Sequence, residues 1–131
     1  MFDKHQRFDY IHGRDIAGSI SDYDRLFKQA YDNLNPGGYF ELQNFELNFF
    51  SDDESRERAV TAVQWQRIIL KTSEKFGKPL AVEGGWKEGM FRAGFRDVVA
   101  EVYKVRNLLH SHLSVATMEW ISKCTDRKNR R

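Results

Sequence analysis

Two short clusters hold the side chains best suited to chemistry: His12, Arg14 and Asp15 near the N-terminus, and Glu41, Gln43 and Asn44 further along. An imidazole changes charge near neutral pH, so His12 is a candidate general base or ligand-orienting donor; its alternative use is a hydrogen bond to a nearby backbone carbonyl. Arg14 offers a planar fork that can grip a carboxylate with two hydrogen bonds, although Asp15 beside it offers an equally economical surface pair. Glu41 either faces a cleft or takes the ordinary place of a strand glutamate in solvent. His110, His112 and Cys124 match no standard zinc spacing and lack a fourth ligand, so no metal is expected. Neither a G-x-x-x-x-G-K phosphate loop nor a G-x-G turn occurs in the chain.

These residues matter only if the chain brings them together. Residues 8–12 form a short apolar and aromatic run that stops at Gly13, the pattern of a buried strand with its exit loop over residues 13–20. Ser21 is placed to cap a helix, with Asp24 three residues on and Tyr23, Leu26, Phe27, Ala30, Tyr31 and Leu34 along one face. Asn35-Pro36-Gly37-Gly38 ends that helix, and residues 39–45 supply a second strand. Acid at residues 51–54 marks a further helix start, and Ala62, Trp65, Ile69, Thr72 and Phe76 recur at helical spacing up to Gly77 and Pro79. A shorter helix around Trp86, Met90 and Ala93 stops at Gly94, and residues 95–105 alternate like a strand. The aromatic stripes of both long helices are expected in the core. Strands alternating with helices imply an α/β layered sheet with parallel neighbours, in which ligands bind beyond the carboxyl ends of the strands. That rule singles out His12, Arg14, Asp15, Glu41, Gln43 and Asn44. Past Arg106 the pattern weakens; residues 113–121 are a possible strand, and the basic run Lys123, Arg127, Lys128, Arg130 and Arg131 reads as a frayed, solvated tail.

Composition narrows the class. With 131 residues the chain has room for one domain, and 21 Lys and Arg against 19 Asp and Glu leave a formal charge of only +2. Such balance argues against a nucleic-acid surface. The single cysteine excludes an internal disulfide framework and suits a reducing compartment. No apolar run reaches membrane-span length and the N-terminus has no hydrophobic signal region, so the expectation is an intracellular protein, in cytoplasm or nucleus, without membrane contact.

Read together, Phe8-Asp9-Tyr10-Ile11-His12-Gly13-Arg14, then Ala17-Gly18-Ser19-Ile20, then Leu34-Asn35-Pro36-Gly37-Gly38-Tyr39-Phe40-Glu41-Leu42-Gln43 resemble the second half of a class I S-adenosylmethionine-dependent methyltransferase. More narrowly the chain is similar to fungal methyltransferases of the LaeA-like type. Gly85-Trp86, Ala93-Gly94-Phe95-Arg96-Asp97-Val98 and Glu101-Val102-Tyr103-Lys104-Val105 continue the likeness, which covers roughly residues 6 to 105. The PGG turn alone is common to many methyltransferases; the joint order and spacing of the pieces is the specific feature.

The resemblance implies a partial Rossmann-like sheet, strands four to six of the family's seven, in a unit over residues 1–106 followed by a divergent segment, 107–131, with its basic tail. It implies S-adenosyl-L-methionine as cofactor and a small-molecule or protein substrate, in fungal secondary metabolism or its regulation. His12 would be the catalytic base, Gly13 and Arg14 would lie against the cofactor, and Gln43 and Asn44 against the substrate. The acidic-x-G-x-G loop and the ribose-binding acid of the family would lie upstream of Met1. Binding by this chain alone should then be weak, without saturation at micromolar cofactor. The alternative reading is an inactive remnant that acts, if at all, by binding a protein partner.

Overall fold

The computed structural model describes residues 7–45, 47, 54–101 and 124–125. Strand β1 (Phe8–Arg14) leads through a loop into helix α1 (Tyr23–Asn33), and strand β2 (Leu34–Gln43) follows without a break. Helices α2 (Ser55–Arg58) and α3 (Val60–Lys75) come next, then a 3-10 turn (Glu83–Gly85), helix α4 (Trp86–Ala93) and strand β3 (Cys124–Thr125). The strands lie in the order β1-β2-β3. β1 and β2 are parallel, as a strand-helix-strand unit requires; β3 joins the far side of β2 antiparallel, with Tyr39 opposite Thr125 and Phe40 opposite Cys124.

Local chemistry sets the boundaries. Ser21 and Asp22 are both good caps, and the helix takes the second: Asp22 is extended and its Oδ1 accepts the Arg25 N–H at 2.8 Å. The expected Ser21 cap is thus one residue early. Residues 35–38 are looped out of the β1–β2 ladder, since Phe8 pairs with Leu34 but Tyr10 pairs with Tyr39. Gly37 has φ +85, and the Asn35 amide ties the loop to β1 by donating to Asp9 Oδ1 at 2.8 Å. Gly94, at φ +110, closes α4 in the left-handed conformation.

The core lies on one side of the sheet. Leu34, Phe40 and Leu42 of β2 contribute to it, and Phe27 and Ala30 of α1, Trp86 and Met90 of α4, and Phe95 and Val98 beyond it complete the cluster. Phe40 stacks on Phe95 at 5.6 Å between centroids and meets Phe27 edge-on at 6.2 Å.

Three expectations fail here. The single long helix is two, broken at Ala59, and its aromatic stripe is not core: Trp65 and Phe76 are exposed, and the buried residue of α3 is Gln66. The reason is that α1 and α4 already fill the covered side of the sheet. Residues 95–101 carry one isolated bridge, at Val99, just after Asp97 takes φ +56 and interrupts the extended run. Residues 102–105, and the possible strand at 113–121, lie outside the described residues. Within the supposed frayed tail, residues 124–125 pair with the sheet.

Candidate functional site

Because strand side chains alternate, the register that sends Ile11, Gly13, Phe40 and Leu42 to the core sends Tyr10, His12 and Arg14, with Tyr39, Glu41 and Gln43 opposite them, to the other face. Tyr10 and Tyr39 are 52% and 44% exposed, so this face is open among the described residues. A parallel sheet usually has both faces covered. The open face therefore presents polar and aromatic groups at a place that the architecture normally buries.

Glu41 is the centre of the cluster. The Tyr10 hydroxyl donates to its Oε2, and Gln43 Nε2 donates to its Oε1 at 3.0 Å. His12 lies opposite Glu41 in the ladder, with Nδ1 3.7 Å from Glu41 Oε2 and 3.2 Å from the Tyr10 oxygen. The hydrogen bond to Glu41, followed by local desolvation and the negative charge of Glu41, raises the Tyr10 pKa above its usual 10.0. A hydroxyl bound to a carboxylate keeps its proton.

The other expected site residues are placed differently. Arg14 ends β1 with its Nε 3.5 Å from Asp15 Oδ2, and both side chains are about half exposed, so the guanidinium remains open to a ligand. Gly13 faces the core side, where an added Cβ would stand 2.7 Å from Leu42 Cδ2; packing alone demands glycine here. Asn44 turns away from Gln43 and is buried. Its amide donates to Glu83 Oε1 and to the Phe45 carbonyl at 3.0 Å, and its oxygen accepts the Ala17 N–H at 3.4 Å. Glu83 is itself buried and accepts the Val82 N–H at 3.0 Å. This pair ties the loop after β1 to the turn before α4, just past the carboxyl end of β2.

On the helix side, a cleft of about 320 Å³ opens at the start of α1, lined by Tyr23, Phe27, Trp86 and Arg92 among others. Burial, with the charge of Glu83 second, pushes the Tyr23 hydroxyl up to about 12. No group of three or more His, Cys, Asp and Glu suited to a metal occurs among the described residues, and no described helix is long and apolar enough to cross a membrane. His110 and His112 lie outside the described residues.

Sequence reasoning missed Tyr10 and Tyr39 as members of the site, though the two-residue period from His12 and Glu41 places them on the same face. The same period puts Asn44 on the face of Phe40 and Leu42, a signal that foretold its burial.

Known proteins supply the context. A family model described as a methyltransferase domain matches residues 1–98. The probable methyltransferase tdiE of Emericella nidulans is 33% identical over 90 residues, 69% of this chain and 28% of that protein. The secondary metabolism regulator laeA of Aspergillus fumigatus is 28% identical over 74 residues, 56% of this chain and 20% of that protein. A solved phosphoethanolamine N-methyltransferase 2 of Haemonchus contortus, in complex with phosphomonomethylethanolamine and S-adenosylhomocysteine, aligns with a TM-score of 0.46 and 26% identity, over 72% of this chain and 19% of that one. The chain thus spans under a third of the length of the relatives that it matches. With the family model covering three quarters of its residues and a parallel strand-helix-strand unit at its centre, this chain belongs to the methyltransferase-domain family, whose cofactor is S-adenosyl-L-methionine.

Proposed function

We propose that the chain takes part in S-adenosyl-L-methionine-dependent methyl transfer, in fungal secondary metabolism or its regulation, with the open face of β1 and β2 as its methyl-transfer edge. The observation that carries this reading is the gathering of Tyr10, His12, Glu41 and Gln43 on one exposed face of a parallel pair, next to the carboxyl ends where such sheets bind ligands.

The side chains present fit the charged end of the cofactor. The Glu41 carboxylate and the exposed faces of Tyr10 and Tyr39 favour a cation, and the Arg14 guanidinium suits a carboxylate. When bound, the cofactor supplies a methyl group activated by a sulfonium. Gly13 and Arg14 would hold it, Gln43 would face the acceptor, and Asn44 would fix the neighbouring loop through Glu83 rather than touch the acceptor. His12 acts as the base where the accepting atom must lose a proton. The remaining contribution of the chain is alignment of the reacting atoms. The acceptor is a small molecule or a protein, not a nucleic acid, and a reducing compartment, cytoplasm or nucleus, suits the single cysteine.

A second reading is a non-catalytic partner-binding role. It is favoured by the apolar side of α3, where Ile68 and, just past the helix end, Phe76 are 66% and 78% exposed. Calorimetric titration of the 131-residue chain with S-adenosyl-L-methionine separates the two. Saturable binding, together with loss of radiolabelled methyl transfer in His12→Ala at unchanged cofactor affinity, supports the first. Absence of binding at micromolar cofactor, the outcome the resemblance implies for this chain alone, removes the first reading for the 131-residue chain by itself.

A further inference from the structure

We infer that Glu41 and Tyr10 form a relay that fixes which nitrogen of His12 bears the proton, making Nε2 the basic one. This deepens the proposed role of the open face and rests on it for its use in catalysis, but not for its geometry. An ionised carboxylate can only accept hydrogen bonds, so the single Tyr10 proton is committed to Glu41 Oε2. The Tyr10 oxygen then has only lone pairs to offer at its 3.2 Å contact with His12 Nδ1. The contact is a hydrogen bond only if Nδ1 carries the hydrogen and donates it. Glu41 Oε2, 3.7 Å from the same nitrogen, favours a hydrogen at that position as well. Gln43 anchors the other carboxylate oxygen at 3.0 Å, which keeps Oε2 turned toward Tyr10.

The neutral ring therefore has its lone pair on Nε2. Glu41 and Tyr10 are positioning residues: neither needs to touch an acceptor, and each acts through the imidazole, as the acid that orients a catalytic histidine does elsewhere. An isolated imidazole in water prefers the opposite tautomer, so the effect can be seen without any activity.

The test is a long-range proton–nitrogen NMR correlation on the uniformly ¹⁵N-labelled 131-residue chain, above the titration range of histidine and without cofactor, with the His12 ring assigned by its loss in His12→Gln. Wild type is expected to show the Nδ1–H form as the major tautomer. In Glu41→Ala the Tyr10 proton is released, Tyr10 donates to Nδ1, and the major form inverts to Nε2–H. In Tyr10→Phe, Nδ1 turns to Glu41 directly and the Nδ1–H form persists. A wild-type ring that is mainly Nε2–H overturns the relay whether or not a variant folds, and so does a folded Glu41→Ala that stays Nδ1–H. Failure of methyl transfer with the tautomers as expected would instead strike the proposed function and leave the relay standing.

Discussion

Gly89 offers a test in which two physical effects have opposite signs. It sits in the middle of α4, where replacing glycine by alanine ordinarily stabilises a helix by about 1 kcal/mol. A Cβ at this position would stand 2.5 Å from Phe27 Cε2 and 2.8 Å from Cδ2. Phe27 is 1% exposed, and its ring is held between Tyr23 at 5.9 Å and Phe40 at 6.2 Å, so it cannot step aside without moving the core. Overpacking of this kind costs about 1–3 kcal/mol, and two sub-contact distances against a pinned ring place Gly89→Ala near the upper end. The expected net effect is a loss of about 2 kcal/mol. Urea denaturation followed by tryptophan fluorescence reads it as a lower midpoint at unchanged slope. Gly84→Ala, where an added Cβ meets nothing, should change stability by less than about 0.5 kcal/mol. A Gly89→Ala protein as stable as wild type, or more so, would refute the close packing of α4 on α1.

Other expectations follow from the same contacts. The Tyr23 hydroxyl is held neutral up to about 12 by burial and Glu83, whereas the unfolded chain ionises near 10.0. The folded state thus holds its proton longer, so stability present below pH 10 should fall as pH rises through about 12, by on the order of 1 kcal/mol after solvent screening; Tyr23→Phe should flatten that part of a pH-dependent unfolding series. Glu41→Ala should bring the Tyr10 pKa down toward 10.0, read by NMR titration of the ring, and an unmoved value would contradict the hydrogen bond. Phe40→Ala, at a fully buried position, should cost about 3–5 kcal/mol in thermal or chemical unfolding, while Phe76→Ala should cost less than about 0.5 kcal/mol.

The strand-helix-strand unit was legible because each signal is local: a cap within one residue of Ser21, an apolar helical face through Phe27 and Ala30, and a Pro-Gly-Gly turn before Phe40 and Leu42. The α3 stripe misled for the opposite reason. Periodicity in Trp65 and Phe76 reports that a helix has an apolar side, not that anything covers it, and coverage depends on which elements reach the sheet first. The pairing of β3 with β2 was invisible because a two-residue antiparallel contact between distant segments leaves no pattern in sequence. At the site, His12, Glu41 and Gln43 could be gathered from strand ends alone, yet the role of Tyr10 required the register, since only pairing sets Glu41 opposite His12 and within reach of the Tyr10 hydroxyl. Asn44 is buried because Gln43 and Asn44 lie on the two sides of a strand end rather than in one loop.

The looped-out residues between Leu34 and Tyr39 behave as a phase adjuster. From Phe8 to Tyr10 the first strand advances two positions while the second advances five, so the loop inserts three. Remove one of those residues while four are still looped out, so that the register of β2 slips by one, and every later side chain of β2 changes sides: Phe40 and Leu42 come out to water, and Glu41 goes into the apolar interior. Remove two, and the sides are restored, but Gln43 slides to the place of Glu41. Point substitutions can thus accumulate along this turn one by one, whereas a single-codon deletion is tolerated only where the loop itself shortens; where the register slips instead, the core and the carboxylate are lost in the same event.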